Sequence, residues 1–567
     1  MTKPWKQFYS DEAKNFDLAN MPSQTLHELI DKAAAEYADR PALTTILPNG
    51  AMGTITYAQL LQASEYFAAY LRQVAGLKAG DVVALMSPNC IGFGIASLGI
   101  AKAGCISTNV NPLYTAPELE HQLSDSRARV LVIIDLFGDK VDAVVRNTEI
   151  KTVVTLSLVD FFAALKRLLL GLVLKRVKKV IPDMKTAHVT MATALSQGKK
   201  AAQGVDIAAY SAHVKSTDTA IYQYTSGTTG RSKGAELSHQ GILANAYGAM
   251  LLTQSAMGPS GETTLIALPL YHITAFALIF VAGVGTGGHG VLVPSPRPPS
   301  NLKSAFEKFN VTWFTGINTL FAAMMVEPWF KREMFENIRF CGSGGAAQQS
   351  GVAKRWEQAT GVAISQGYGM TECCGAATLN PIGHNKLGTV GIPVPGTDVK
   401  IVDDAGKEVA TGERGEVIFK GPTIMRGYLN RPDATAEALV DGWLFSGDIG
   451  VMDKDGFVEI VDRKKDMILV SGFNVSPNEI EDVISKIPGV VQVGVIGIVD
   501  EKSGEVPVAY IQKNDENLTA EMVIAACKKG LTNYKVPKKV EFIAEVPITP
   551  TGKVLRRELR DRMPANA

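Results

Sequence analysis

Apolar positions along the first 160 residues fall into two alternating textures. Thr25-Leu26-His27-Glu28 and Thr56-Tyr57-Ala58-Gln59 each set a hydroxyl at a helix cap. A longer polar side chain three residues on can reach back to that cap. After the first, Leu26, Leu29, Ile30 and Ala33 recur at helical spacing. Val82–Met86 and Val130–Ile134 are short, β-branched apolar runs, expected as buried strands. Helix and strand alternating in this way predict an α/β fold, with a largely parallel sheet and helices on its faces.

Residues 161–181 break the alternation. Leu168, Leu169, Leu170, Leu172, Val173 and Leu174 crowd together, flanked by Lys166, Arg167, Lys175, Arg176, Lys178 and Lys179. The uncharged run is far shorter than the roughly 20 residues a bilayer span needs. Two readings stand: a basic amphipathic helix lying on anionic lipid, or a core helix with solvated ends.

Past Gly388 the texture changes to short strands and tight turns, such as Asp403-Asp404-Ala405-Gly406 and Asp455-Gly456. A dense charge run follows, Asp462-Arg463-Lys464-Lys465-Asp466. Then Ser476-Pro477-Asn478-Glu479 combines a cap, a proline at the first helical position and a capping glutamate. Ile480, Val483, Ile484 and Ile487 form that helix's apolar stripe, and Pro488-Gly489 stops it. A second helix at 520–531 and strands at 491–498 and 507–511 complete a small α+β unit. The expected division is a large region at 1–464, with a β-rich part at about 388–464, and a C-terminal domain at 465–567.

Composition adds constraints. The chain has 567 residues, 46% hydrophobic and 20% charged, enough for several structural units and a large core. Lys+Arg 57 against Asp+Glu 56 leaves +1, which argues against nucleic acid as a partner. The six cysteines form no CxxC pair, and the N-terminus carries no apolar signal region. Both fit a reducing, cytoplasmic location.

The segment most charged with chemistry is Tyr224-Thr225-Ser226-Gly227-Thr228-Thr229-Gly230-Arg231-Ser232-Lys233-Gly234. Its glycines let the backbone approach an anion, and its hydroxyls and Lys233 supply donors. Strand-like residues precede it and a helix is expected after it. It is a phosphate loop without the Gly-Lys-Ser/Thr triplet of a Walker A motif.

This loop, with Gln366-Gly367-Tyr368-Gly369-Met370-Thr371-Glu372, Gly442-Trp443 to Gly447-Asp448, and Thr551-Gly552-Lys553, resembles the adenylate-forming superfamily. The match runs in order from about Thr25 to Arg560. Within the superfamily, Asp462-Arg463-Lys464-Lys465-Asp466-Met467-Ile468, Ser471-Gly472-Phe473-Asn474-Val475 and Leu268-Pro269-Leu270-Tyr271-His272 are similar to bacterial long-chain fatty acyl-CoA synthetases.

The resemblance implies two half-reactions. A fatty-acid carboxylate attacks the α-phosphate of ATP with Mg²⁺, giving acyl-adenylate and pyrophosphate; the thiol of coenzyme A then displaces AMP. It implies that Thr225, Ser226, Gly227, Thr228, Thr229, Gly230 and Lys233 hold the β- and γ-phosphates. Glu372 would hold Mg²⁺ and Thr371 would bond the α-phosphate. Tyr368, within the segment Gln366, Gly367, Gly369 and Met370, would face adenine, beside a close-packed wall of Gly344, Gly345 and Ala346. Asp448, assisted by Arg463, would take the ribose hydroxyls. Members often carry Tyr-Arg-Thr-Gly-Asp at the last of these; here it is Phe445-Ser446-Gly447-Asp448, so only Asp448 carries over. Lys553 would be the catalytic cation of adenylation. Lys465 would be a hinge that swaps Lys553 for Gly472 and Phe473 along a pantetheine channel. His272 would stand at the carboxylate end of an acyl pocket walled by Trp313, Phe314, Gly316, Ile317, Asn318, Thr319, Leu320 and Phe321.

Other readings stay open at this stage. These are an aryl or branched-acid ligase, a ligase loading a carrier protein, a membrane-surface trap without turnover and a light-emitting oxygenase. A homodimer and a peripheral contact with an anionic membrane are open too.

Overall fold

The computed structural model describes residues 3–225, 231–258, 261–471, 473–500, 502–549 and 552–562. Ser226, Gly227, Thr228, Thr229, Gly230, Gly472 and Thr551 therefore lie outside the described residues.

Among the described residues the strands form four sheets. Val82–Met86 sits inside a seven-stranded sheet, parallel to Ile106–Asn109 on one side and Val130–Ile134 on the other. Val82–Met86 and Val130–Ile134 are buried at every position, as continuous apolar runs covered on both faces require. The cap at Thr56 closes both ways: Gln59 N donates to Thr56 Oγ1 at 3.3 Å and Thr56 N donates to Gln59 Oε1 at 3.0 Å. At Thr25 the Glu28 carboxylate overshoots its cap and accepts from Gln24 N at 2.7 Å.

A nine-stranded sheet carries Thr263–Ile266, Trp313–Gly316, Phe340–Ser343 and Ile364–Tyr368 side by side and parallel. Parallel strands gather their C-terminal ends on one edge, where open α/β sheets bind ligands. His272, Gly344 and Gly369 follow those strands in the chain, and Gly344 and Gly369 line a common pocket there.

Residues 398–463 form an antiparallel sheet. An exposed turn through Lys464 and Lys465 leads from it into the last unit. There the Val490–Asp500 and Gly504–Lys513 hairpin and the helices Pro477–Ser485 and Ala520–Gly530 enclose a core of their own, including Ile480, Ile484, Val493, Ala509 and Val523. Glu479 N takes the expected cap from Ser476 at 3.2 Å, but the Glu479 carboxylate turns away to Lys535 at 2.7 Å.

Two expectations are corrected. The end of the phosphate-loop segment begins a strand, Lys233–Ser238, antiparallel to Thr219–Thr225, and the helix, His239–Thr253, comes only afterwards. And the leucine-lysine segment is not a core helix. Ala164–Leu172 and the turn Val173–Val177 bury no residue; Leu165 is 69% exposed, Leu168 61% and Val177 74%.

Candidate active site

A cleft of about 1430 Å³ lies where the nine-stranded sheet's C-terminal edge faces the antiparallel sheet and the C-terminal unit. Gly345, Ala346, Gln366, Gly367, Tyr368, Gly369 and Met370 form one wall, and Asp448, Arg463 and Lys553 face the same space. Register fixes two of these: Asp448 and Arg463 are cross-strand partners, and Arg463 Nε approaches Asp448 Oδ1 at 3.3 Å. Asp448 Oδ2 accepts from the Tyr368 hydroxyl. Burial, then the Asp448 charge, hold the Tyr368 phenol protonated well above its usual range. Its ring stacks on Phe419 at 5.9 Å. Ser446, the departure from the superfamily pattern, is structural: its Oγ donates to Val417 O at 2.6 Å and accepts from Asp448 N at 3.1 Å.

Glu372 belongs to a short turn, Thr371–Cys373, that leaves the strand edge. The residue is buried, 6% exposed. Its Oε1 accepts from the Tyr428 hydroxyl at 2.7 Å and its backbone carbonyl accepts from Met425 N at 2.7 Å. Lys233 Nζ lies 4.9 Å over the Tyr428 ring, a cation–π contact that ties the phosphate loop's end to the same tyrosine. Sequence reasoning missed Tyr428: a single tyrosine, 56 residues from Glu372, has no spacing signal. Burial, then Glu372, push the Tyr428 phenol up, so it stays a donor.

Lys553 sits on a turn built by its neighbours. Lys553 N donates to Thr549 Oγ1 at 3.0 Å, and Thr549 N donates back to Lys553 O at 2.8 Å. Gly552 is required twice over. Its φ is +83°, and a Cβ there would stand 2.7 Å from Ile317 Cδ1. The turn is thus pressed against the large region, with Lys553 inside the cleft. Lys553 is exposed to solvent where it lines the cleft, with the walls of both units around it. That crowding, then Arg463, lower its pKa, against Asp448 and Glu372, which raise it.

His272 precedes the Ile273–Ala275 turn. Its Nε2 is buried with no hydrogen-bond partner among the described residues. Burial, then the Lys553 charge, bring its pKa down to about 4. A neutral imidazole with one unsatisfied nitrogen is a binding element waiting for a polar group.

A second, mostly apolar pocket opens beside the cleft, with Gly345, Gly367, Tyr368 and Gly369 lining both. Its wall differs from the expected one. Of the run from Trp313 to Phe321 only Trp313 and Thr315 line it; Phe314 and Phe321 pack edge-on in the core around Trp356, and Asn318 faces the cleft. The wall comes instead from the His239–Thr253 helix, through Ala246, Ala249, Met250 and Thr253, and from Leu278, Ile279 and Ala282.

Among the remaining predicted residues, Thr225 ends its strand opposite Lys233, and Gly344 lines the apolar pocket. Lys465 is exposed on its turn and lines neither cavity. Phe473 is half exposed and stacks on Tyr534 at 4.8 Å, away from the cleft. The cysteines are buried; burial raises the Cys373 thiol to about 12, so it is no nucleophile. Among the described residues no group of three or more His, Cys, Asp or Glu could hold a metal.

Comparison with known proteins agrees with this geometry. The model of the AMP-binding enzyme family matches residues 30–429, and that of the AMP-binding enzyme C-terminal domain matches 479–553. The long-chain-fatty-acid–CoA ligase of Salmonella typhimurium is 43% identical over 542 residues, covering 95% of this chain and 94% of the relative. The structure of ATP-bound MatB from Rhodopseudomonas palustris has a TM-score of 0.79 at 28% identity, over 95% of this chain and 98% of that one. The anthranilate CoA ligase AuaEII in complex with anthranoyl-AMP reaches 0.83 at 25% identity, over 97% and 98%. The chain belongs to the AMP-binding enzyme family.

Proposed function

We infer that the protein activates medium- or long-chain fatty acids with ATP, forming an acyl-adenylate and pyrophosphate, and transfers the acyl group to coenzyme A with release of AMP. The observation that carries this reading is the junction of the two cavities. An apolar pocket opens, through Gly345, Gly367, Tyr368 and Gly369, into a polar cleft whose wall bears Lys553. An acid seated in the pocket presents its carboxylate where Lys553 can offset charge on both the attacking oxygen and the α-phosphate. The step needs alignment and charge neutralisation, with no protein nucleophile.

Asp448, held by Tyr368 and Arg463, accepts from the ribose hydroxyls, and the glycine wall admits adenine. The phosphate-loop residues, ending at Lys233, receive the leaving pyrophosphate. Neutral His272 meets the carboxylate end of the acid. Glu372 suits Mg²⁺: it is a hard oxygen donor whose second oxygen accepts no hydrogen bond from the described residues. Magnesium would take its other ligands from phosphate and water; bound there, it supplies charge neutralisation.

With Lys553 seated in the cleft, the chain is arranged for the first half-reaction. The second requires Lys553 to leave and Gly472 and Phe473 to enter, by rotation of residues 465–567 about Lys465.

The exposed leucines of Ala164–Leu172, with basic residues at both ends of the segment, support peripheral contact with anionic membrane. No helix among the described residues is long and apolar enough to cross one.

The test is pyrophosphate and AMP release with Mg-ATP across saturated acids of increasing length, with and without coenzyme A. Coenzyme-dependent AMP release peaking at one aliphatic length is expected. Preference for benzoate or cinnamate, or no release with any acid, contradicts the reading.

A further inference from the structure

The apolar pocket ends on a charge. Glu262 lines it beside Met257, Thr264 and Thr286. This carboxylate is buried, with the residue 5% exposed. Both its oxygens accept from Arg339 Nη2 at 2.7 Å, and Oε1 also accepts from Gly258 N at 2.6 Å. Arg339 donates through Nε to Ala256 O at 3.1 Å, and its side chain, 41% exposed, reaches the surface.

Sheet polarity locates this pair. Glu262 immediately precedes the Thr263–Ile266 strand, and Arg339 immediately precedes Phe340–Ser343. Both strands belong to the parallel set that delivers His272 and Gly344 at the opposite edge. The ion pair is therefore one strand length, about 13 Å at ~3.3 Å per residue, from the catalytic edge. A chain whose carboxylate sits at the junction with the cleft points its terminal methyl toward Glu262.

We propose that the Glu262–Arg339 pair is the floor of the acyl pocket and sets the longest chain the enzyme activates efficiently. The inference rests on the fatty-acid reading above. A methyl group pressed on this floor gains nothing from a carboxylate whose hydrogen bonds are already made. To pass, it must displace Glu262 from Arg339 and leave the buried carboxylate unpaired, which is costly. One methylene in a hydrophobic pocket is typically worth about 10- to 200-fold in kcat/KM, so the floor produces a sharp upper cutoff.

The experiment measures kcat/KM for adenylation over saturated acids of increasing length in wild type, Glu262→Ala/Arg339→Ala, Glu262→Gln and Thr264→Leu. If wild type activates no aliphatic acid, the fatty-acid reading itself fails, and that is visible before any variant is compared. The double variant removes both halves of the floor; its cutoff is expected to move to longer acids, with at least a tenfold gain just beyond the wild-type limit. Glu262→Gln keeps the shape but removes the charge and one of the two acceptors, and its cutoff is expected to move less far than that of the double variant. Thr264→Leu narrows the same end with the ion pair intact, and its cutoff is expected to shorten; this arm stands even if the double variant does not fold. A uniform loss at all lengths in the double variant, or an unchanged cutoff in both the double variant and Thr264→Leu, would overturn the proposal.

Discussion

Replacing Asp482 with alanine is expected to slow adenylation while sparing thioester formation. Asp482 lies on the Pro477–Ser485 helix of the C-terminal unit. Its Oδ1 accepts from Ser350 N at 3.0 Å and from Ser350 Oγ at 2.9 Å. Ser350 opens the Ser350–Thr360 helix of the large region, whose preceding residue Gln349 provides no side-chain cap. Asp482 thus acts as the helix's N-cap from the C-terminal unit, in the same arrangement that places Lys553 in the cleft. Its other oxygen keeps Lys486 at 2.7 Å, an attachment that does not cross between units. N-cap removal costs about 0.5–2 kcal/mol, and the side chain is 37% exposed, so solvent screening favours the middle of that range. A loss of about 1–1.5 kcal/mol from one conformation alone lowers its population ratio roughly 5- to 13-fold. The assay is single-turnover: pyrophosphate burst for the first half, and consumption of synthetic acyl-adenylate by coenzyme A for the second. Ser350→Ala, which keeps the backbone donor, is expected to lose about half as much in free energy. Equal slowing of both halves, or no change in the first, would refute the idea that this contact holds the adenylation arrangement.

Tyr428→Phe removes the donor that orients Glu372; loss of such an outer partner typically costs 10- to 100-fold in metal affinity. Half-maximal adenylation is therefore expected to need 10- to 100-fold more Mg²⁺, and an unchanged requirement would remove Glu372 from the metal site. His239 is buried and accepts from Leu26 N at 3.2 Å; burial, then His27, lower its pKa to about 3. Between pH 6.5 and 3 the unfolded chain binds the proton that the folded chain excludes, so stability falls as pH falls, by up to about 1.4 kcal/mol for each pH unit crossed. Urea midpoints of His239→Asn are expected to fall less steeply over that window; parallel slopes would contradict the assignment. Replacing Lys175, Arg176, Lys178 and Lys179 by glutamine is expected to weaken binding to phosphatidylserine vesicles, at about 1 kcal/mol per charge near the surface, and unaltered binding would retire the membrane contact.

What the sequence made legible was local. The Thr56 cap, the Val82–Met86 and Val130–Ile134 strands and the glycine-flanked segment 366–372 each carry their signal within a few residues. The hidden parts depend on distant pairing. The His239–Thr253 helix is buried nearly all round, so it has no polar face to give a period, and its place in the wall of the apolar pocket could not be read. Tyr428 on Glu372 and Asp482 on Ser350 join residues 56 and 132 positions apart. The strand Lys233–Ser238 is hidden because a Ser/Thr/Gly run can lead into a strand or a helix alike. For the leucine-lysine segment, composition could not choose between core and surface; only the exposure of Leu165, Leu168 and Val177 does.

The central claim is that Lys553 serves adenylation alone. Its most direct test compares Lys553→Ala with wild type in both half-reactions, using pyrophosphate release from acid and Mg-ATP, and thioester formation from synthetic acyl-adenylate and coenzyme A. The account predicts that the first falls at least 100-fold, roughly the scale of losing one charge-stabilising group, while the second stays within a few-fold of wild type. Equal loss in both, or a first half-reaction that survives, would contradict it.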